Sequence, residues 1–268
     1  MIKQFIPFLM LTISINFCFA QNNFGPKLTA MGSNTAAIKD IWSLNGNPSG
    51  VTHIQSPTLA INYTKYLIDS ELSNQSVAFV LPFKNNYLGA SFSRYGIAEY
   101  NEIKAGLALV KRFGDKLSIA LKGNYHQLKI NNYGSTTGFS LDVGTMYELN
   151  EQVTLGFSLN NPSIQKYSSK EVETTIPSSI QLGGAYKASD KILIATTICK
   201  DLNSSINVGF GIDYKLLELV SLRAGVTAKP FKHYAGFGLN YKKIVLDMAV
   251  ESDIHLGYTP QIALAYAF

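Results

Sequence analysis

The ten residues from Thr259 to Phe268 read Thr-Pro-Gln-Ile-Ala-Leu-Ala-Tyr-Ala-Phe, and they decide the fold. Side chains alternate between the two faces of a β-strand, so Ile262, Leu264, Tyr266 and Phe268 share one face and small residues occupy the other. The end of the stretch carries no charge, and a soluble edge strand this apolar would promote aggregation. In a closed membrane barrel the same strand has two neighbours and turns its large face to lipid. The stretch therefore predicts the last strand of a transmembrane β-barrel.

The composition supports this prediction. Charged residues make up 15% of the 268 residues, which is low for a soluble domain, while Gly, Tyr and Phe are abundant. Beyond the N-terminus no apolar stretch reaches about 18 residues, so we expect no transmembrane helix. The formal net charge is +5. The lysines and arginines of the chain form no cluster interleaved with aromatic residues, so we expect no nucleic-acid partner.

Residues 1–20 have the pattern of a secretory signal peptide. Lys3 supplies the positive charge, Phe5 to Phe17 is mostly apolar, and Cys18-Phe19-Ala20 is a small-x-small cleavage site before Gln21. Cleavage would leave Cys199 as the single cysteine and would exclude an internal disulfide. A signal for export together with a predicted β-barrel leads us to expect that the protein lies in the cell outer membrane.

Residues 21–56 are expected to form a separate N-terminal segment because they lack the alternation of the rest. Asn34 is placed to cap a short helix whose apolar face includes Ile38, Ile41 and Trp42. The turn-forming residues Asn47, Pro48 and Ser49 would end this helix. Such a helical segment predicts a hatch that plugs the barrel or caps its periplasmic mouth. An ordered lead-in without a gating role is equally compatible with the sequence.

From residue 57 to residue 268 the chain consists of strand-like runs that predict a barrel of about fourteen antiparallel strands, an even number as expected for single-chain bacterial barrels. The predicted runs are 57–67, 75–83, 86–98, 103–113, 116–127, 137–148, 152–162, 177–187, 190–201, 204–215, 219–229, 233–242, 244–254 and 259–268.

Every second run ends with an aromatic residue before a short polar turn, which is typical of the aromatic girdle at one membrane interface. The predicted girdle contains Phe83, Phe113, Tyr147, Tyr186, Tyr214, Tyr241 and Phe268. The intervening connections, such as 128–136 and 163–176, look longer. Short turns face the periplasm in such barrels, so both termini are predicted to be periplasmic.

Polar side chains lie opposite the apolar parity in most runs, and a charge on the lipid face would cost about 2–4 kcal/mol at mid-bilayer. The predicted inward-facing polar set is Lys122, Asn124, His126, Asp142, Asp213, Arg223, Asp247 and Glu251. These residues could bind a polar solute, although a network of ion pairs filling the lumen is the more common arrangement. The sequence places no nucleophile beside His126 and shows no metal-ligand spacing, so we expect no enzyme, no metal and no cofactor.

The segment Asn47-Pro48-Ser49-Gly50 resembles the Asn-Pro-Ala-Gly signature that precedes the first strand of FadL-like barrels, and the chain looks most similar to the PorV-type branch in Bacteroidetes. Further parallels are Ala30-Met31-Gly32, Asp40 and the terminal Ala265-Tyr266-Ala267-Phe268. The resemblance implies fourteen strands and an N-terminal hatch. Ser49 departs from the usual Ala of the signature.

Two functions follow from the resemblance. The first is a PorV-like accessory of type IX protein secretion, with outer-membrane lipid, a larger translocon or a secreted cargo protein as partners. The alternative is a FadL-like channel for the uptake of hydrophobic small molecules, which would leave sideways through the wall. Such an exit would need a kink or bulge in the wall, and the third run, which contains Gly89 and Gly96, is where we would expect it.

Overall fold

A computed structural model describes residues 24–66, 68, 70–167, 175–202, 204–254 and 257–268. The signal peptide predicted at residues 1–20 lies outside these residues. The described chain forms one closed antiparallel barrel of fourteen strands, in which each strand pairs with its sequence neighbours and β1 pairs with β14. The predicted fold class is therefore confirmed.

The strands follow the predicted runs closely. The alternation of apolar and polar side chains shows that a strand is present and also which of its faces points outward. They are β1 Thr58–Lys65, β2 Ser73–Phe83, β3 Asn86–Gly96, β4 Tyr100–Phe113, β5 Leu117–Ile130, β6 Gly134–Glu148, β7 Val153–Asn160, β8 Ser179–Ser189, β9 Ile192–Asp201, β10 Asn207–Lys215, β11 Val220–Ala228, β12 Phe231–Tyr241, β13 Ile244–Asp253 and β14 Gly257–Ala267.

Two ends of the barrel can be distinguished by their connections. At the end that we call the turn end, tight turns such as 84–85 and 242–243 join the strands. The opposite end, the loop end, has the long connection 161–178 between β7 and β8. One loop-end link is shorter than expected: the predicted link 128–136 shrinks to 131–133 because β5 and β6 continue as a paired hairpin.

The outer face of the barrel is apolar along most of its height. In β14, for example, Ile262, Leu264 and Tyr266 are exposed while Ala263 between them is buried. The seven residues of the predicted aromatic girdle are all exposed and lie at the turn end: Phe83, Phe113, Tyr147, Tyr186, Tyr214, Tyr241 and Phe268. The barrel is thus apolar outside, as the alternation requires for a strand that faces lipid.

The predicted helix over residues 34–42 is absent. The N-terminal segment, residues 24–56, instead contains a short α-helix, α1, at Pro26–Ala30 and two 3₁₀ helices at Ile41–Asn45 and Pro48–His53. Asp40, rather than Asn34, caps a helix, since its carboxylate accepts a hydrogen bond from the Trp42 amide at 2.9 Å. The Asn34 side chain is used for tertiary contact, donating to the carbonyl of Ala195 at 3.4 Å.

The main hydrophobic core lies inside the barrel, between this segment and the wall. Leu28, Met31, Ile38, Trp42, Leu44 and Val51 of the segment pack with small inward-facing residues of the strands, among them Ala60, Ala78, Val80, Val110 and Ala120. The inward face of these strands is therefore apolar where it meets the segment and polar elsewhere. This distinction was not expected from the parity of the strands alone.

Candidate functional site

The N-terminal segment crosses the lumen from one wall to the other. Helix α1 packs on β11 to β14, and the first 3₁₀ helix packs on β2 and β3. The second 3₁₀ helix packs on β4 to β6. Because all of these contacts are made with inward-facing residues of strands on opposite sides, the segment fills the lumen at this height.

Inward-facing glycines let the backbone of the segment approach the wall closely. A Cβ atom at Gly156 would lie closer than 3.0 Å to the backbone of Ala36, and one at Gly225 would collide in the same way with the backbone of Gly32. A Cβ at Gly209 or Gly211 would also collide with the segment backbone, and one at Gly89, Gly144, Gly183 or Gly236 would collide with segment side chains. The absence of a side chain is what permits these contacts. Much of the glycine content of the chain therefore serves the packing of the segment.

The predicted hatch motif stabilises the bend between the two 3₁₀ helices. The Asn47 amide donates to the carbonyls of Ala36 at 2.6 Å and Thr145 at 2.9 Å, and so joins two parts of the segment to β6. Its oxygen accepts from the Ser49 hydroxyl at 2.6 Å. Pro48 occupies the first helical position, where its missing N–H costs nothing. Trp42 packs directly against Gly25, which has a positive φ of 75°.

Charged side chains fasten the segment at two heights. The ammonium of Lys122, which is fully buried, donates to the carbonyl of Leu44 at 2.7 Å and to the Asn45 side chain at 3.2 Å. Nearer the turn end, Lys39 of the segment pairs with Glu148 of β6 at 2.7 Å. Arg112 joins the same carboxylate at 3.3 Å. Sequence reasoning missed this second cluster because its members come from a turn-end region that no pattern singled out.

The eight polar residues predicted for the lumen separate into groups. Lys122 belongs to the segment contact. Arg223 binds Asp213 at 3.1 Å and Asp247 at 2.5 Å. Glu251 pairs with Lys232, a residue that lay just outside the predicted run 233–242, at 2.6 Å. Asp253 approaches the same ammonium at 3.1 Å.

The remaining three predicted residues lie together on β5 and β6. The Asn124 amide donates to Asp142 at 2.7 Å, and a ring nitrogen of His126 lies 2.8 Å from the Ser140 hydroxyl. Asp142 also accepts from the backbone amide of Asn161 in the β7–β8 connection. Within the described part of the chain no group of three His, Cys, Asp or Glu residues is arranged to hold a metal ion.

Above the segment, the loop end of the lumen contains a large cavity of about 620 Å³. Thr29, Gly32 and Ser33 contribute to its floor. The walls come from β8 to β14 and from the β7–β8 connection, and the principal wall residues are Tyr66, Ile176, Gln181, Thr197, Leu202, Thr227, Lys232, Tyr234, Glu251 and Gln261. The sequence does not predict the cavity. Its position depends on the register of strands that are distant in sequence, because the register decides which side chains lie at the same height in the lumen.

Apolar and aromatic groups at the cavity limit its polarity. Tyr66, just beyond the end of β1, stacks edge-on against Tyr95 with ring centroids 5.4 Å apart. Burial, together with the neighbouring Tyr95 and Glu251, raises the pKa of Tyr66 above its ordinary value. Ile176 and Pro177 line this cavity and also a small cavity of about 70 Å³ on the side of β2 to β7.

The wall is closed at β3, where the sequence predicted an opening. The ladder between β2 and β3 is continuous from Ser73↔Gly96 to Phe83↔Asn86, and β3 pairs with β4 from residue 86 to residue 96. Gly89 is instead the place where Leu44 of the segment touches the wall. Gly96, with a φ of 136°, ends the strand. Among the described strands the register shifts once, between Lys187 and Ser189.

No protein-family model and no curated protein matches the chain. Solved structures do match. The toluene transporter TodX of P. putida is similar with a TM-score of 0.73 at 11% identity, over 92% of this chain and 99% of TodX. The toluene transporter TbuX of Ralstonia pickettii gives 0.69 at 13% identity over 92% and 99%. A Pseudomonas aeruginosa FadL homologue gives 0.60 at 12% identity over 92% and 98%.

These similarities define the fold as that of an outer-membrane β-barrel. Within that class its fold is FadL-like, which confirms the resemblance at the level of the fold. The narrower PorV-type branch is not shown by these structures. No helix in the described part of the chain is long and apolar enough to cross a membrane.

The predicted role as an accessory of type IX secretion is wrong. The finding that overturns it is that the barrels whose fold the chain matches include toluene transporters and a FadL homologue. The Asn47-Pro48 pair, which carried the resemblance to FadL-like barrels, stabilises a bend in the N-terminal segment.

Proposed function

We propose that the protein is a non-enzymatic channel that takes up small hydrophobic molecules across the outer membrane. Its loop end would face the cell exterior and both termini would lie in the periplasm, with lipid around the barrel. Support for uptake comes from the FadL-like fold and from two toluene transporters among its structural neighbours. The orientation is supported by the tight turns at the turn end, since short turns face the periplasm in such barrels.

The observation that carries the proposal is the large cavity at the loop end. Its volume of about 620 Å³ is in the range of small-molecule sites. Tyr66, Ile176, Leu202 and Tyr234 supply apolar surface, and the segment closes the cavity below. A molecule entering from the loop end would therefore be held above the segment.

Passage along the lumen beyond the cavity requires the segment to move, because the segment fills the lumen below the cavity. The contacts that hold the segment are of a kind that can exchange: backbone approaches at glycines, the ammonium of Lys122, and the ion pair of Lys39 with Glu148. The segment would thus act as the hatch, and entry of a ligand would favour a state in which these contacts are rearranged.

The test is to fill the cavity. Thr197 faces it and its hydroxyl has no hydrogen-bond partner in the described structure, so Thr197→Trp adds bulk without breaking a bond. We expect the initial rate of radiolabelled toluene uptake by cells carrying this variant to fall to that of cells lacking the protein. Ile198→Trp is the matched control, since Ile198 on the same strand is 47% exposed on the outer face.

A chemical version of the experiment uses protein that has already folded. Cys199 lines the same cavity, so a bulky thiol reagent applied to intact cells should block uptake, and Cys199→Ser should abolish the block. Heat-modifiable migration on gels would report correct folding in each case. Unchanged toluene uptake by folded Thr197→Trp and by the thiol-modified protein would refute the proposal.

A further inference from the structure

The charges that line the large cavity do not suit a site that binds an acid. Among the described residues that line it, three are charged: Asp201, Lys232 and Glu251. The cavity wall therefore carries one cation and two carboxylates. A ligand carboxylate is ordinarily recognised by an arginine or lysine whose donors are directed at it.

Lys232 does not offer its charge to the cavity. Its side chain is 9% exposed, and its ammonium lies 2.6 Å from Glu251 and 3.1 Å from Asp253. Two carboxylates thus neutralise a single cation, and both of them belong to β13, the strand paired with β12. A third negative group brought to this ammonium would be repelled by both.

Another buried cation on the strands of this half, Arg223, is arranged in the same way. Arg223, whose side chain is 3% exposed, is bound by Asp213 and Asp247. Arg223 lies nearer the turn end than Gly225, the residue at which the segment contacts β11. The segment therefore lies between Arg223 and the cavity. The cluster with an excess of cations, Lys39 and Arg112 with Glu148, also lies toward the turn end.

From this arrangement we propose that the large cavity accepts uncharged hydrophobic molecules and excludes carboxylates, including fatty acids and aromatic acids. The inference rests on the proposed uptake function and narrows its substrate class. Its cause is the pairing of Lys232 with Glu251 and Asp253, which leaves the cavity with a negative balance. A like charge placed in such a site is strongly disfavoured.

The experiment compares toluene with benzoate, which differ by a methyl group and a carboxylate on the same ring. Initial uptake of each radiolabelled compound is measured in cells with the protein, after subtraction of the rate in cells without it. We expect toluene to be favoured by at least about tenfold, the ratio that corresponds to about 1.4 kcal/mol. Glu251→Gln retains the pairing of Lys232 with Asp253. It should raise benzoate uptake and so lower the ratio of toluene uptake to benzoate uptake.

Two further variants separate the local effect from general ones. Gln261→Lys adds a cation to the cavity wall while every residue of the ion cluster is kept, and it should also raise benzoate uptake. Glu218→Gln removes the same charge in the exposed turn between β10 and β11, so the ratio should stay that of the parent.

The outcomes distinguish the two proposals. Equal uptake of toluene and benzoate by the parent protein would overturn the exclusion of carboxylates while leaving the channel function in place. The exclusion would also be overturned if neither Glu251→Gln nor Gln261→Lys changed the ratio in folded protein. Uptake of neither compound would overturn both the channel and its selectivity.

Discussion

Above the N-terminal segment, the two halves of the lumen differ in how much space they leave. The half lined by β8 to β14 contains the large cavity of about 620 Å³, whereas the half lined by β2 to β7 contains about 70 Å³. Inward positions of the first half hold small residues such as Thr197, Gly209 and Thr227. The second half is filled by long side chains such as Lys104, His126 and Tyr167.

The difference shows that one half of a barrel lumen can form a binding cavity while the other half is filled with side chains that support the structure. In the filled half, polar side chains bind one another, as Asn124 binds Asp142, and the connection between β7 and β8 folds over them. In the open half, the ion pairs lie in the wall and the space above α1 stays free. Three variants test this division, beginning with the contact between the segment and the wall on which both halves depend.

The largest effect is expected from Gly156→Val. A Cβ at this position would collide with the backbone of Ala36, and backbone cannot move aside as a flexible side chain can. Displacement of the segment would expose its buried core, so we expect a loss of about 3 kcal/mol or more in the free energy of unfolding. The measurement is urea-induced unfolding of the protein refolded into lipid vesicles.

Gly123→Val is the matched control for this substitution. Gly123 lies in β5 on the outer face, and nothing is found within 4 Å of a Cβ built there. Added apolar bulk at that position meets lipid rather than protein. Equal destabilisation by the two substitutions would show that the close approach of the segment at Gly156 does not hold in the membrane.

An intermediate effect is expected from Lys122→Met. The substitution keeps much of the side-chain volume but leaves the Leu44 carbonyl without its 2.7 Å donor. Loss of a buried charge-assisted hydrogen bond should cost about 1–3 kcal/mol in unfolding free energy. Lys129→Met, on the outer face of the same strand and exposed, is the control that changes the same charge.

The segment should also become more accessible in Lys122→Met, which a fall in stability alone does not require. Limited proteolysis in vesicles, at a urea concentration far below the unfolding midpoint, would measure this. If the segment of Lys122→Met were as resistant as that of the parent, Lys122 would have no part in holding it.

The sequence was sufficient for the barrel because alternation is a local property of each strand. Charges such as Arg223 had to face inward, and the aromatic residues at strand ends marked the turn end. The prediction of a helix over residues 34–42 was wrong because the segment contacts the barrel wall on several sides. Tertiary contacts with glycines such as Gly156 decide its backbone, and helical spacing does not report them.

The candidate site was only partly accessible from the sequence. Parity showed that Glu251 points inward, but it could not show that Lys232 on the neighbouring strand would neutralise it, since β12 extends two residues beyond the predicted start at residue 233. The two cavities depend on the 161–178 connection, whose Ile176 and Pro177 line both. No periodic pattern describes how such a connection folds into the lumen.

The smallest effect is expected from His126→Ala in the filled half. The substitution removes the contact between the imidazole and the Ser140 hydroxyl at 2.8 Å, and a typical hydrogen bond contributes about 1 kcal/mol to stability. Because His126 lines the small cavity and not the large one, toluene uptake should stay at the parent rate while the unfolding free energy falls slightly. A gain or loss of uptake in folded His126→Ala would mean that the ligand also passes through the filled half. The division between site and scaffold would then be wrong, because both halves of the lumen would carry substrate.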